Sequence, residues 1–158
     1  MKSVLIILFL STIHLIEIKP AQQPVYYSVK YIVDGDTFHI LQQNGWTEKI
    51  RLIGLDAPEI HDSAHKKIGY YGTEATTYLT KLIKGQKIRL EYDIERRDRY
   101  GRTLAYAYLP NGTFINAELI KNGYAQLLTI QPNSKYANYF LKLQQEARKE
   151  KRGLWAKK

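Results

Sequence analysis

Residues 26–41 read YYSVKYIVDGDTFHIL and largely decide the fold class. Residues 26–33 and 37–41 are rich in β-branched and aromatic side chains, which are typical of strands. Asp34-Gly35 lies between them and is a strong hairpin signal. The stretch therefore predicts two antiparallel strands whose connection carries acidic side chains.

Three more strands are predicted further along the chain. Residues 47–55 give the third, although Gly54 lies within it. Between 88 and 94 apolar side chains alternate with charged ones, which is the period of a half-buried strand. Residues 103–109 are almost all apolar or aromatic and indicate a well-buried fifth strand. Residues 98–101 between these last two strands have the chemistry of a turn.

Apolar side chains at helical spacing predict three helices, within residues 75–83, 116–120 and 136–147. The predicted N-caps of the first two helices are Thr73 and Asn116. The glycines predicted to close the three helices are Gly85, Gly123 and Gly153. We therefore expect an α+β, mainly β fold: a five-stranded oligonucleotide-binding-type barrel with three helices.

Length and charge restrict the function. The chain has 158 residues, enough for one domain. It carries 24 Lys and Arg against 15 Asp and Glu, a formal net charge of +9. Such a balance favours polyanionic partners, namely nucleic acid, acidic lipid surfaces or acidic glycans. The absence of cysteine excludes disulfides, zinc–thiolate sites and thiol catalysis.

The first 23 residues are predicted to be a secretory signal peptide, followed by one domain at 24–158. Lys2 gives a positively charged start, and residues 4–18 are mainly apolar. That run is shorter than the roughly 20 apolar residues of a membrane span. Residues 19–23 contain no clear cleavage motif, so an uncleaved membrane anchor is the alternative. We expect a secreted or periplasmic protein, without stable membrane association if the leader is removed.

Four carboxylates lie beside predicted turns: Asp34, Asp36, Asp56 and Glu59. Hard cations such as calcium prefer carboxylate and carbonyl oxygens, and strand ends could supply them. Taken singly, each of these acids is more often a turn residue.

Two arginines, Arg51 and Arg102, have solvent exposure as their ordinary interpretation. Arg51 lies in an apolar strand, and strict alternation would place it on the opposite face from Asp56. Gly54 can interrupt that alternation and bring both into one pocket. Two arginine forks beside a cation held by carboxylates would suit a phosphodiester.

Several motifs in order resemble the staphylococcal nuclease family over residues 31–155. The motifs are VDGDT at 33–37, RLIGLDAPE at 51–59, YGTEA at 71–75, DRYGRTLAY at 98–106, LIKNGYA at 119–125 and EARKEKRGLW at 146–155. The family fold is a five-stranded barrel of the oligonucleotide-binding type with three helices, in agreement with the elements predicted above.

The resemblance implies a calcium site and a hydrolytic reaction. Asp36 and Asp56 match the calcium-ligand carboxylates, and the backbone carbonyl of Ala57 matches a third ligand. Asp34 would act only in the outer shell of that site. Glu59 matches the carboxylate that orients, and can deprotonate, the attacking water.

The remaining matches concern the substrate, which would be DNA or RNA. Arg51 and Arg102 match two arginines that grip the phosphate, and Tyr100 matches a tyrosine that contacts the phosphate and sugar. The implied hydrolysis breaks the bond to the 5′ oxygen and leaves 3′-phosphate and 5′-hydroxyl ends. Residues 126–131 lack the tyrosines that often face the nucleotide, which affects base stacking and substrate preference.

Three classes of function compete: an active exported nuclease, a catalytically silent nucleic-acid-binding module of the same fold, and a basic protein that binds acidic surfaces. The retained acids and arginines favour the enzyme over the silent module. Clustered carboxylates disfavour the third class. His61 and His65 inherit no role from the family, and a monomer is expected.

Overall fold

A computed structural model of the chain describes residues 23–60 and 69–156. The predicted leader, apart from residue 23, lies outside the described residues, as do His61 and His65. None of the helices in these two ranges combines the length and the apolar character of a membrane span.

The strands are β1 (Tyr26–Ile32), β2 (Thr37–Leu41), β3 (Thr47–Leu52), β4 (Leu55–Asp56), β5 (Lys87–Glu91), β6 (Thr103–Tyr108) and β7 (Gln126–Leu127). Five of them close a barrel, which confirms the predicted fold, and their order around it is β1-β2-β3-β6-β5. A separate two-stranded sheet pairs β4 with β7. Neighbouring barrel strands are antiparallel except β3 and β6, which are parallel.

Alternation along the strands builds the core. Phe38, Ile40 and Ile50 point inward and are fully buried, whereas their sequence neighbours His39 and Lys49 lie on the outer face. Each fully buried Phe or Ile side chain contributes about 1.5–3 kcal/mol relative to an exposed one.

Three helices cover the barrel: α1 (Gly72–Ile83), α2 (Ile115–Lys121) and α3 (Ala137–Lys149). A short 3₁₀ helix, Gly153–Ala156, follows α3. α1 buries Ala75, Leu79 and Ile83, whose spacing of four residues places them on one helical face.

The predicted third strand is interrupted at Gly54. β3 ends at Leu52, and Gly54 adopts φ +83° before the chain enters β4. A side chain could not fit there, because a Cβ on Gly54 would lie 2.6 Å from the ring of Phe140. The fourth strand is also shorter than predicted, since β5 ends at Glu91.

Both predicted N-caps are wrong. α1 begins at Gly72, after Tyr71 with φ 73°, so Thr73 already lies within the helix. α2 begins at Ile115, and Asn116 is a fully buried helical residue. Its side chain accepts a hydrogen bond from the Ala107 amide at 3.0 Å and donates to the Ile53 carbonyl at 2.9 Å.

The helix ends were predicted more successfully. Gly85 and Gly123 follow α1 and α2 with positive φ, as expected for helix-terminating glycines. The prediction for Gly153 is wrong, because α3 ends at Lys149 and Lys151 adopts the left-handed conformation.

Candidate active site

Arg51 is largely buried and joins two of the predicted metal-ligand carboxylates. Its Nη1 lies 2.9 Å from Oδ2 of Asp36, and its Nη2 donates to Oδ1 of Asp56, also at 2.9 Å. Nη1 also donates to the carbonyls of Leu52 and Leu55, at 3.1 and 3.0 Å. The guanidinium therefore holds the end of β3, the start of β4 and the β1–β2 connection together.

Asp36 is fixed by the turn that precedes β2. Its amide donates to Oδ1 of Asp34 at 3.0 Å, and its carboxylate accepts from the Thr37 hydroxyl at 2.9 Å and the Ala57 amide at 2.8 Å. Burial raises the pKa of Asp36 to about 7, while the nearby Arg51 guanidinium opposes that increase.

Gly35 lets the acidic turn approach the segment after β4. A Cβ at Gly35 would lie 2.7 Å from Cβ of Ala57 and 2.9 Å from Cβ of Ala75. The Asp34-Gly35 pair was predicted as a hairpin signal, and the strands on either side do pair. The structure adds a second reason for glycine here, because a larger residue would push Asp36 away from Ala57.

Arg102 is held by Asp98, which was predicted from the sequence only as a turn residue. Oδ2 of Asp98 accepts from Nε of Arg102 at 2.6 Å. Oδ1 of Asp98 accepts from the amides of Tyr100 and Arg102, at 2.9 and 3.0 Å. Burial acts to raise the pKa of Asp98, but the interactions with Arg102 outweigh it and the net pKa is lowered. The four-residue spacing from Asp98 to Arg102 across a turn was the available signal.

Tyr100 lies at the tip of the same hairpin and is 66% exposed. The guanidinium carbons of Arg99 and Arg102 lie 4.8 and 5.5 Å from its ring centroid. Nη2 of Arg99 also donates to the Tyr100 hydroxyl at 2.6 Å. Stacked cations hold the ring in an exposed position from which it can contact a ligand.

A cleft of about 460 Å³ brings four predicted site residues together: Arg51, Asp56, Tyr100 and Arg102. Asp36 is not among the lining residues, but its carboxylate pairs with Arg51, which lines the cleft. Exposed Leu128 and Ile130 contribute apolar wall in the segment where tyrosines are lacking.

Ala57 and Glu59 are not among the described residues that line the cleft. Ala57 is joined to it through its amide bond to Asp36. Glu59 is half-buried, and its backbone carbonyl accepts from the Gly69 amide at 2.9 Å. Ala57 and Glu59 come directly after β4, whose two residues are both bound by Arg51.

Comparison with known proteins establishes the family. The family model described as staphylococcal nuclease homologue matches residues 49–157. The chain belongs to the staphylococcal nuclease family. A thermonuclease of Staphylococcus intermedius is 40% identical over 129 residues, which cover 82% of this chain and 75% of the relative. The thermonuclease of Staphylococcus hyicus is 38% identical over 130 residues, with the same two coverages, 82% and 75%. Endonuclease YncB of Bacillus subtilis is 35% identical over 127 residues, covering 79% of this chain and 59% of that protein.

Membership of the staphylococcal nuclease family confirms the resemblance and the predicted fold class, and it supports nuclease activity.

Asn133 is a further residue of the cleft, and it was not predicted from the sequence. It accepts from the Glu95 amide and donates to the Glu95 carbonyl, both at 2.8 Å. No local pattern marks an asparagine that pairs with backbone 38 residues away.

The donor set of this nuclease-family site suits a hard cation. Among the described residues there is no cluster of three or more His, Cys, Asp or Glu side chains arranged for a metal. Asp36 and Asp56 nevertheless lie on one guanidinium and offer only oxygen atoms. Two carboxylates that offer only oxygen fit a hard cation better than a softer metal.

Proposed function

We propose that this protein is a calcium-dependent nuclease that hydrolyses phosphodiester bonds of DNA and RNA and leaves 3′-phosphate and 5′-hydroxyl ends. The observation that supports this most is the fork of Arg51, which joins Asp36 and Asp56 beside a cleft that also holds Tyr100 and Arg102. Family membership supports the nuclease class.

Asp36, Asp56 and the Ala57 carbonyl would hold the calcium ion. When bound, the ion supplies positive charge beside the phosphoryl oxygens. The carboxylates are already oriented, because Thr37 and the Ala57 amide bind Asp36, and Arg51 binds both acids.

The arginines bind and neutralise the phosphodiester. Arg102 is partly exposed on the cleft wall, and Asp98 accepts a hydrogen bond from its Nε. The two terminal nitrogens of the guanidinium bind the phosphate. Arg51 is more deeply buried and adds positive charge at the base of the cleft. A preorganised donor of this kind typically contributes ~10²–10³ in rate. Tyr100 packs beside the phosphate and sugar.

Glu59 acts on the water. It orients the attacking water and accepts its proton as the new bond to phosphorus forms. The bond from phosphorus to the 5′ oxygen breaks, and that oxygen takes up a proton to leave a hydroxyl end. General base catalysis of this kind contributes about 10²–10⁴-fold.

Purified protein incubated with single-stranded DNA and with RNA tests the proposal, in calcium, in magnesium and in a calcium chelator. We expect digestion in calcium only, with 3′-phosphate ends identified by mass spectrometry. Glu59→Gln should bind substrate as the parent protein does while losing roughly 10²-fold or more in turnover. Glu146→Gln, which removes an exposed carboxylate from α3, is the matched control. Binding without digestion in calcium would instead indicate a silent nucleic-acid-binding module.

We also propose that the protein is exported, to the medium or the periplasm, as a monomer. The basic start and apolar run of residues 1–23 support export. N-terminal sequencing of the exported protein tests this, because an intact Met1 in a membrane fraction would indicate an anchor.

A further inference from the structure

The outer face of the barrel carries a row of aromatic and basic side chains that lies next to the cleft but does not line it. Register pairs Tyr31 of β1 with His39 of β2, and His39 with Lys49 of β3. The rings of Tyr31 and His39 stack, with centroids 4.2 Å apart and planes 21° from parallel. Three adjacent strands therefore present one continuous row, which we call the outer row.

The outer row lies next to the candidate active site on the same strands. Arg51 lies two residues beyond Lys49 on β3, and Thr37 lies opposite Arg51 as His39 lies opposite Lys49. Side chains two apart in a strand point to the same face, about 7 Å apart. Lys49 is thus the next basic group along the face that Arg51 begins.

Tyr31 and Lys49, at the two ends of the outer row, are accessible, whereas His39 between them is partly buried. Tyr31 is 48% exposed although it is a large aromatic residue, and Lys49 is exposed on β3. Lys30 is also exposed, at the irregularity in pairing between Val29 and Tyr31. Burial, with a contribution from Lys49, lowers the pKa of His39, which favours the uncharged form of the stacked imidazole.

We propose that the outer row is an extended binding surface for single-stranded nucleic acid, continuing the substrate path beyond the cleft. One base stacks on the face of the Tyr31 ring that His39 does not cover, and Lys49 pairs with a neighbouring phosphate. Exposed aromatic rings interleaved with lysines are the combination that binds single strands without sequence preference. The proposal rests on the proposed nuclease function and adds where a longer substrate runs.

Charge complementarity favours a polyanion at the outer row, and the stacked rings favour nucleic acid over an acidic lipid surface. The chain has a net charge of +9, and the outer row adds lysine to a face that already ends in Arg51. A flat ring pair such as Tyr31 and His39 matches the face of a nucleobase.

The test is the affinity of the full chain for a single-stranded oligonucleotide in chelator, measured by fluorescence anisotropy at several salt concentrations. Tyr31→Ser should weaken binding about fivefold or more with little change in salt dependence, and Tyr31→Phe should restore it. Lys49→Gln should reduce the slope of log affinity against log salt by about one, because one phosphate contact is lost.

Two matched substitutions on α3 act as controls. Tyr139 is also 48% exposed, and Lys142 is an exposed lysine on the same helix. Tyr139→Ser and Lys142→Gln should match the parent protein in both affinity and salt slope. Equal losses in the control and test variants would overturn the outer row as a binding surface.

Kinetics in calcium separate failure of the outer row from failure of the proposed function. The parent protein should cleave a long single strand with a higher kcat/KM than a dinucleotide, and Tyr31→Ser with Lys49→Gln should reduce that advantage. If both variants cleave normally and keep the parent's higher kcat/KM for the long strand, the outer row alone would be overturned as a binding surface. A parent protein that neither binds nor cleaves either substrate would overturn both proposals.

Discussion

Arg51 and Arg102 are both held by aspartates, but the two ion pairs differ in burial. The Arg51 side chain is 11% exposed and Asp36 beside it 7%, whereas the Arg102 side chain is 28% exposed. Removing one partner of a buried pair leaves an uncompensated charge and strongly destabilises the fold. Changes at Arg51 would therefore combine losses of stability and activity, while the Arg102 pair can be varied with its effect mainly on activity.

Asp98→Asn tests whether Asp98 positions Arg102. The amide oxygen can still accept from the Tyr100 and Arg102 amides, so the turn is retained, but the amide nitrogen cannot accept from Nε of Arg102. We expect kcat/KM for single-stranded DNA to fall by roughly tenfold, less than the ~10²–10³ loss expected for Arg102→Ala. Steady-state kinetics, with thermal denaturation to verify folding, measure the effect.

A double-mutant cycle gives the control for Asp98. If Asp98 acts only through Arg102, then Asp98→Asn in the Arg102→Ala background should cost little further activity. Additive losses would show that Asp98 affects the substrate or the turn by another route.

Strands and helix ends were predictable because their signals are local. The β-branched and aromatic composition of β2, the alternation in β5, the apolar run of β6 and the glycines after α1 and α2 each depend on a few neighbouring residues. Within the candidate site, the family motifs indicated which residues would line it. The cleft brings together Arg51, near the end of β3, and Arg102, directly before the start of β6. Gly54 was the local reason why strict alternation did not separate Arg51 from the acids.

The errors came from residues whose partners are distant in sequence. Asn116 was predicted as an N-cap, yet it bridges backbone groups of Ala107 and Ile53. A single asparagine before an apolar run fits both roles, and only the packed barrel decides between them. Asn133 escaped notice for the same reason, since its partner Glu95 lies in the β5–β6 connection.

Asn133→Ala should separate two walls of the cleft. Asn133 joins the connection that carries Tyr100 and Arg102 to the segment that carries Ile130. Its loss leaves the Glu95 amide and carbonyl unpaired, which costs about 1–3 kcal/mol of stability. We expect a lower free energy of unfolding in urea and a rise in KM that is larger than the change in kcat.

Asn133→Asp is the matched variant, because it keeps the acceptor for the Glu95 amide and removes the donor to the Glu95 carbonyl. We expect its KM to lie between those of the parent and Asn133→Ala. Reduced stability with unchanged KM in both variants would make Asn133 a purely structural residue.

At the scale of the whole molecule, carboxylates on the side of the barrel near α3 connect stability to pH. Oε1 of Glu91 accepts from Lys135 at 2.7 Å and from the Tyr136 hydroxyl at 2.9 Å. Oδ2 of Asp93 accepts from the Tyr106 hydroxyl at 2.9 Å and from the Lys135 amide at 3.1 Å. Burial acts to raise the pKa of both acids, but these hydrogen bonds outweigh it and hold each pKa below its usual value.

A lowered pKa in the folded state gives a definite sign to the pH dependence. The stabilisation from Glu91 and Asp93 is fully present above the pKa of each acid in the unfolded chain, and it is lost as pH falls through the lowered folded value. The free energy of unfolding should therefore decrease below about pH 5. Asp93→Asn should be less stable than the parent at neutral pH and should lose less stability on acidification, because one of the titrating groups is gone. Urea denaturation across this range measures both effects, with Glu146→Gln as a control for the loss of one carboxylate. If the free energy of unfolding falls equally with pH in the parent and in Asp93→Asn, protonation of Asp93 does not contribute to the loss of stability.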